Sequence, residues 1–209
     1  LWVNHPDITE PAEDKVRQLR IAQACGLVVP KTIITNEPES VVGFLAEVNG
    51  PVVAKTIRSP RVSTEKVKLA YTHLLSETDL SHLDALQLAP CIFQEYVLKE
   101  IELRVTIVGR EVFTAAIYSQ EHPDSFIDWR KVDYSELRHE AFTLPDFIAA
   151  RCLALTHRLN LSFAAIDLIK RPDGQYVFLE CNPNGEWGWI QAVTELPISE
   201  AIARLLASG

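Results

Sequence analysis

A chain of 209 residues that is 47% hydrophobic and 23% charged can bury a sizeable core, as one domain or as two small lobes. Its formal net charge of −8 excludes the broad basic face that phosphate-backbone binding needs, so no nucleic-acid partner is expected. No apolar run approaches the roughly 20 residues that span a bilayer and no signal-like segment is present, which points to a cytoplasmic protein with no membrane partner. Cys25, Cys91, Cys152 and Cys181 are scattered without a Cys-x-x-Cys pair or a nearby His, so they read as reduced, mostly buried thiols. The start at Leu1 and the lack of Met suggest a processed product or a piece of something longer.

Thr9 as N-cap, Pro11 in the first turn and acidic Glu10, Glu13 and Asp14 predict one helix over residues 10–25, stopped by Gly26. A short strand is expected at 31–35. Asn36 with Glu39 three residues on forms a capping-box pattern for a helix over 37–48. Residues 51–57 read as a strand whose Lys55 fits a lysine snorkelling at a sheet edge, and the basic segment Arg58 to Lys68 reads as a loop. Further strands follow at 91–97 and 102–108. In the second of these Leu103, Val105 and Ile107 form a core face, while Glu102, Arg104 and Thr106 form a polar, available one. Gly109-Arg110 turns the chain back into an antiparallel strand over 111–119. Residues 120–134 read as a loop carrying Asp128-Trp129-Arg130, Pro145 opens a helix to about 159, and Pro197 opens a last one to about 207.

The richest stretch is FAAIDLIK at 163–170 followed by FLECNPNGEWGW at 178–189. Pro172-Asp173-Gly174 between them reads as a tight hairpin turn. Side chains alternate faces along a strand, so Glu180 and Asn182 point the same way, and Asp167 stands on the neighbouring strand among apolar residues. Two carboxylates and an amide oxygen, with no His or Cys beside them, suit a hard cation such as Mg²⁺; solvated or salt-bridged acids at a strand end are the simpler alternative.

The order of Lys15, Lys55, Gln94-Glu95-Tyr96-Val97, Glu102-Leu103-Arg104, Asp167, Glu180 and Asn182 resembles the ATP-grasp ligases over about residues 5–207. Within them FQEYV, ELRVTIVG, SQ followed later by DWR, AAIDLI and ECNPNGEWGWI are similar to the ligases that mature ribosomally made peptides such as the microviridins (graspetides), and more distantly to those that add glutamate to a ribosomal protein. The resemblance implies an α+β fold whose two lobes, residues 1–95 and 96–209, clasp ATP between antiparallel sheets, with the family's N-terminal domain missing ahead of Lys15. It implies that Lys15 and Lys55 hold the phosphates and that the backbone of Glu95, Tyr96, Val97 and Leu98 meets adenine. By the same match Glu102 binds the ribose hydroxyls, and Asp167, Glu180 and Asn182 ligate Mg²⁺, with two ions expected.

The implied reaction is ADP-forming ligation through an acyl phosphate, joining a carboxylate to a hydroxyl or amine on a precursor peptide or protein. Arg104 and Arg130 are the candidate catalytic cations. Arg104 could equally pair with Glu102, and Arg130 could sit in a packed surface turn. Trp187 and Trp189 read first as walls of the site. A homodimer is one assembly consistent with the chain. The competing functions are an amino-acid ligase adding glutamate to a protein tail or small acceptor, and a module that binds nucleotide or peptide without turnover.

Overall fold

The computed structural model describes residues 2–57 and 71–207, so the basic loop expected at 58–68 lies outside the described residues. The packing divides the chain into two compact units. One comprises Leu1–Val29, Leu98–Glu121 and Leu137–Gly209; the other comprises Pro30–Val97 and His122–Glu136. The N-terminal helices thus pack with elements from the second half of the chain.

The first unit opens with α1 (Pro6–Ala12) and α2 (Lys15–Ala24), where a single helix over 10–25 was expected. His5 caps α1 ahead of Pro6, and the Thr9 hydroxyl donates back to the His5 carbonyl at 3.2 Å instead of capping a helix of its own. Asp14 interrupts the run because its Oδ1 accepts the Arg17 N–H at 2.8 Å, starting a new helix at Lys15.

In the second unit β1 (Thr32–Thr35), α3 (Pro38–Val48), β2 (Val52–Lys55), β3 (His73–Leu74), the short α4 (Glu77–Leu80) and β4 (Cys91–Glu95) follow in sequence. The Asn36 capping box does not form: Glu37 holds the N-cap position without a side-chain bond to the helix backbone, and Pro38 supplies the first turn. The strands make an antiparallel sheet in the order β1-β4-β2-β3, with Val41 and Phe44 of α3 packed against Val52 and Phe93.

The remaining strands belong to the first unit: β5 (Ile101–Val108), β6 (Glu111–Ile117), β7 (His139–Ala141), β8 (Phe163–Lys170) and β9 (Tyr176–Asn182). All pair antiparallel, in the order β7-β6-β5-β8-β9. The β8–β9 turn is the expected one, with Gly174 at φ +83° and its N–H donating to the Arg171 carbonyl at 2.9 Å. One face of the sheet buries Leu103, Val105, Ile107, Ile166, Leu168 and Phe178 with Ala22 of α2 and with Ile148, Cys152 and Leu155 of α5 (Asp146–Arg158). At one end of the other face, Val108, Phe113, Ala115 and Phe163 pack with Ile190 of α6 (Gly188–Thr194) and with Ile198 and Ala201 of α7 (Ile198–Ala207).

As an outer strand, β9 would offer bare backbone groups to other chains. They are met from within the unit. The Phe178 N–H donates to the Val28 carbonyl at 2.8 Å, and the Gln18 side chain binds the Cys181 backbone.

Candidate active site

On the sheet face away from α2 and α5, Arg104 of β5 is the register partner of Asp167 on β8, which in turn is the partner of Glu180 on β9. Asp167 pairs Glu180 whereas Leu168 pairs Phe178, so Leu179 is an extra residue on β9 that forms a bulge beside the acids. Asn182 lies two residues beyond Glu180, opposite Ala165, and its Nδ2 donates to Glu180 Oε1 at 3.0 Å.

Two carboxylates directly opposite on a sheet repel each other, and a cation beside each offsets this. Arg104 Nε stands 3.1 Å from Asp167 Oδ1, and Lys15 Nζ donates to Glu180 Oε2 at 2.9 Å. The start of α2 at Asp14 is what places Lys15 there. Among the described residues no group of three or more His, Cys, Asp or Glu side chains that could hold a metal ion gathers, so a donor set here would be two carboxylates with an amide oxygen. Hard oxygen donors of this number fit Mg²⁺, which keeps its remaining positions for water and substrate phosphates.

The loop after β9 closes over this row at Gly185. A Cβ there would lie 2.3 Å from Ala165 Cβ, 3.3 Å from Asn182 Cβ and 3.4 Å from Arg104 Nη1. Only glycine lets the backbone come this near, a requirement the Asn-Pro-Asn-Gly sequence announces only as a turn.

The polar face of β5 is not open as expected, because its side chains are buried. Glu102, Arg104 and Thr106 are 8%, 7% and 0% exposed. Arg104 turns to Asp167 and not to Glu102. The Glu102 carboxylate instead accepts from Lys99 Nζ at 2.9 Å and from Ser119 Oγ at 2.7 Å, and Gln120 donates to the same Ser119 oxygen at 3.2 Å. Sequence reasoning gave neither Lys99 nor Ser119 a role, although Ser119-Gln120 was among the matching motifs; the three-residue spacing of Lys99 and Glu102 was the available signal.

Trp187 and Trp189 pack against the apolar cluster under α6 and α7, and Trp189 meets the His139 ring edge-on at 5.3 Å between centroids. Burial lowers the His139 imidazole below its ordinary value, so it is neutral near pH 7.

Lys55, Glu95, Tyr96, Val97 and Arg130 belong to the second unit, and exposed Leu98 begins the next segment of the first. Lys55 ends β2, and its Nζ donates to Gln94 Oε1 at 2.7 Å; the buried Gln94 amide passes the chain of bonds to Thr32 Oγ1 at 2.9 Å. The Glu95 N–H donates to the Lys31 carbonyl and the Tyr96 N–H to the Pro51 carbonyl, each at 2.9 Å. Val97 is buried. Arg130 grips Asp128 with Nε and Nη2 at 2.8 and 2.9 Å, while the Thr72 N–H donates to the same carboxylate at 2.9 Å. Burial pushes the Asp128 carboxyl up, but the Arg130 bonds and charge with the two backbone donors outweigh it and hold the group below the usual carboxylate range.

Residues 12–206 match the family model of the RimK-like ATP-grasp domain. The chain belongs to that family. Its two antiparallel sheets with flanking helices are those of the α+β ATP-grasp fold. Over 99% of its length it superimposes on the Chryseobacterium gregarium RiPP-associated ATP-grasp ligase in complex with ADP and a leader and core peptide, with 32% identity and a TM-score of 0.91. The macrocyclase MdnC of Microcystis aeruginosa MRC, bound with precursor peptide MdnA, matches 99% of the chain with 35% identity and a TM-score of 0.87. A probable alpha-L-glutamate ligase of Klebsiella pneumoniae (strain 342) is 25% identical over 191 residues, 90% of this chain. The chain spans 62%, 64% and 61% of these three relatives.

Proposed function

We propose that this ATP-grasp domain belongs to an ATP- and Mg²⁺-dependent carboxylate ligase that forms ester or amide links between side chains of a precursor peptide. The observation that carries this reading is the row Arg104–Asp167–Glu180 with Asn182, a hard-cation donor set on a rigid sheet with a guanidinium beside it. The peptide ligases that this chain resembles, one with ADP and a leader and core peptide and one with its precursor, support the substrate class.

In this reading Asp167, Glu180 and Asn182 hold Mg²⁺, two ions being our count, and the cation neutralises phosphate charge when bound. Lys15 and Lys55 are compact ammonium groups suited to phosphate oxygens, Glu102 meets the ribose, and the backbone of residues 95–98 meets adenine. A substrate carboxylate oxygen attacks the γ-phosphorus and ADP departs, leaving an acyl phosphate. A hydroxyl or amine then attacks the acyl carbon, loses its proton and expels phosphate. Arg104 and Arg130 stabilise the charge that develops on the transferring group; no side chain of the protein needs to act as nucleophile.

Calorimetric titration with a non-hydrolysable ATP analogue, with and without Mg²⁺, tests the site. Mg²⁺-dependent binding that Asp167→Asn abolishes is the expected result, and binding indifferent to both the metal and the substitution overturns the assignment. The match to a probable glutamate ligase favours a second reading, in which an amino acid is added to an acceptor. Product mass separates the two: a lost water for each intramolecular link, or a gained amino-acid residue.

A further inference from the structure

Among the side chains around Glu180 and Asn182, one that touches their strand from behind is an uncharged amide. Gln18, in the first turns of α2, is 1% exposed. Its Nε2 donates to the Ala12 carbonyl at 2.7 Å and to the Cys181 carbonyl at 2.6 Å, and its Oε1 accepts the Cys181 N–H at 3.0 Å. The amide thus binds one residue's backbone at both its donor and its acceptor, as a neighbouring strand would. Cys181 lies between Glu180 and Asn182. Its thiol is buried in the α2 and α5 core, which pushes it up to about 12, while its two neighbours project from the opposite face.

This clamp acts where β9 is least constrained. Among the described residues only β8 pairs with β9 along its length, and the bulge leaves Leu179 unpaired and the ladder locally disrupted just before the two donors. Lys15, one turn before Gln18 on the same side of α2, pairs with Glu180. Apolar packing alone would be served by Leu or Ile at this depth. A buried amide is tolerated only because all three of its bonds are made.

We infer that Gln18 is a positioning residue: by fixing the Cys181 backbone it sets the spacing and direction of Glu180 and Asn182 as donors to a hard divalent cation. The inference rests on the reading of Asp167, Glu180 and Asn182 as cation ligands. Partners one step removed from a metal typically shift its affinity by about 10- to 100-fold when removed, and a loss in that range is expected here.

The test titrates Mn²⁺ by electron paramagnetic resonance into the chain with ADP, comparing the parent with Gln18→Leu, Gln18→Glu and Asp167→Asn, and measures metal-free ADP binding beside it. Gln18→Leu should weaken Mn²⁺ binding while leaving metal-free ADP affinity unchanged. Gln18→Glu should fall between parent and Gln18→Leu, because it keeps an acceptor for the Cys181 N–H and loses the donors to both carbonyls. Parental Mn²⁺ affinity in Gln18→Leu, alongside a loss in Asp167→Asn, overturns the role of Gln18 alone. Equal Mn²⁺ affinity in the parent and Asp167→Asn overturns the ligand assignment itself. Parallel loss of ADP and Mn²⁺ binding in Gln18→Leu makes Gln18 a general packing residue and overturns the inference. If Gln18→Leu does not fold, Gln18→Glu decides by the same criteria, and failure of both to fold assigns Gln18 to folding instead.

Discussion

Replacing Gly185 with Ala tests whether the loop after β9 is seated directly on the candidate site. Gly185 does not have a left-handed backbone, so the substitution probes space and not conformational strain. The added Cβ would sit 2.3 Å from Ala165 Cβ. Carbon atoms rest about 3.5–4.0 Å apart, so the loop or β8 must move by more than about 1 Å. Ala165 is fully buried in a paired strand and cannot yield cheaply. Overpacking of this kind costs about 1–3 kcal/mol, which lowers Tm by about 2–12 °C at this chain length. The rescue is specific. Ala165→Gly removes the colliding atom and by itself costs about 0.5–1 kcal/mol for glycine within a strand. In the double variant only the tight 3.3 and 3.4 Å contacts to Asn182 and Arg104 remain. Urea and thermal unfolding of the four proteins should therefore give a cycle in which the double variant is more stable than the summed single losses by about 1 kcal/mol or more. Additive losses, or a Gly185→Ala cost below about 0.5 kcal/mol, would refute the seating of this loop on Ala165.

The Lys99–Glu102 pair is almost wholly buried, with side chains 4% and 10% exposed, so Lys99→Met leaves a carboxylate without its cation and should cost about 3–5 kcal/mol in urea unfolding. Lys99→Met with Glu102→Leu should recover most of that loss; a single-variant cost below about 1 kcal/mol would show that Ser119 alone satisfies Glu102. Asp128 gives a pH signature. Its folded carboxyl titrates below its unfolded value of about 3.9, so the unfolded chain takes up the proton first. Its stabilisation is then complete above about pH 4 and is lost as the pH falls through the lower folded value. Acid unfolding curves of Asp128→Asn should be flatter in that interval than those of the parent, and parallel curves would contradict the Arg130 and Thr72 contacts as the cause.

The hairpins of the first unit were legible because their signals are local. Alternation marked the core face of β5, and Pro172-Asp173-Gly174 fixed the turn that lines up β8 and β9. The shared face of Asp167, Glu180 and Asn182 followed from the same two-residue period. The helix break at Asp14 was missed because Thr9, Glu13 and Asp14 all read as first-turn residues, and only the Asp14–Arg17 bond singles out the real cap. The edge strand β7 is three residues long and gives no period to detect. Alternation on β5 likewise separates polar from apolar without saying whether the polar side meets water or buried partners.

The partners of β9 and of the polar face of β5 come from elsewhere along the chain. Lys15 reaches Glu180 across 165 residues, Gln18 reaches Cys181 across 163, and Ser119 reaches Glu102 across 17. The first two separations exceed any window in which periodicity is read. Lys15 and Gln18 differ, however, in how they could have been found. A lysine near two acids invites an electrostatic guess, whereas a glutamine in an amphipathic helix looks like surface until the edge of β9 is seen to need both a donor and an acceptor. The unmet backbone of an outer strand is itself the constraint, and a buried amide one turn along from Lys15 answers it. The same helix therefore supplies the charge that balances Glu180 and the hydrogen bonds that hold its strand, which makes α2 part of the site's scaffold and not only a wall of the core.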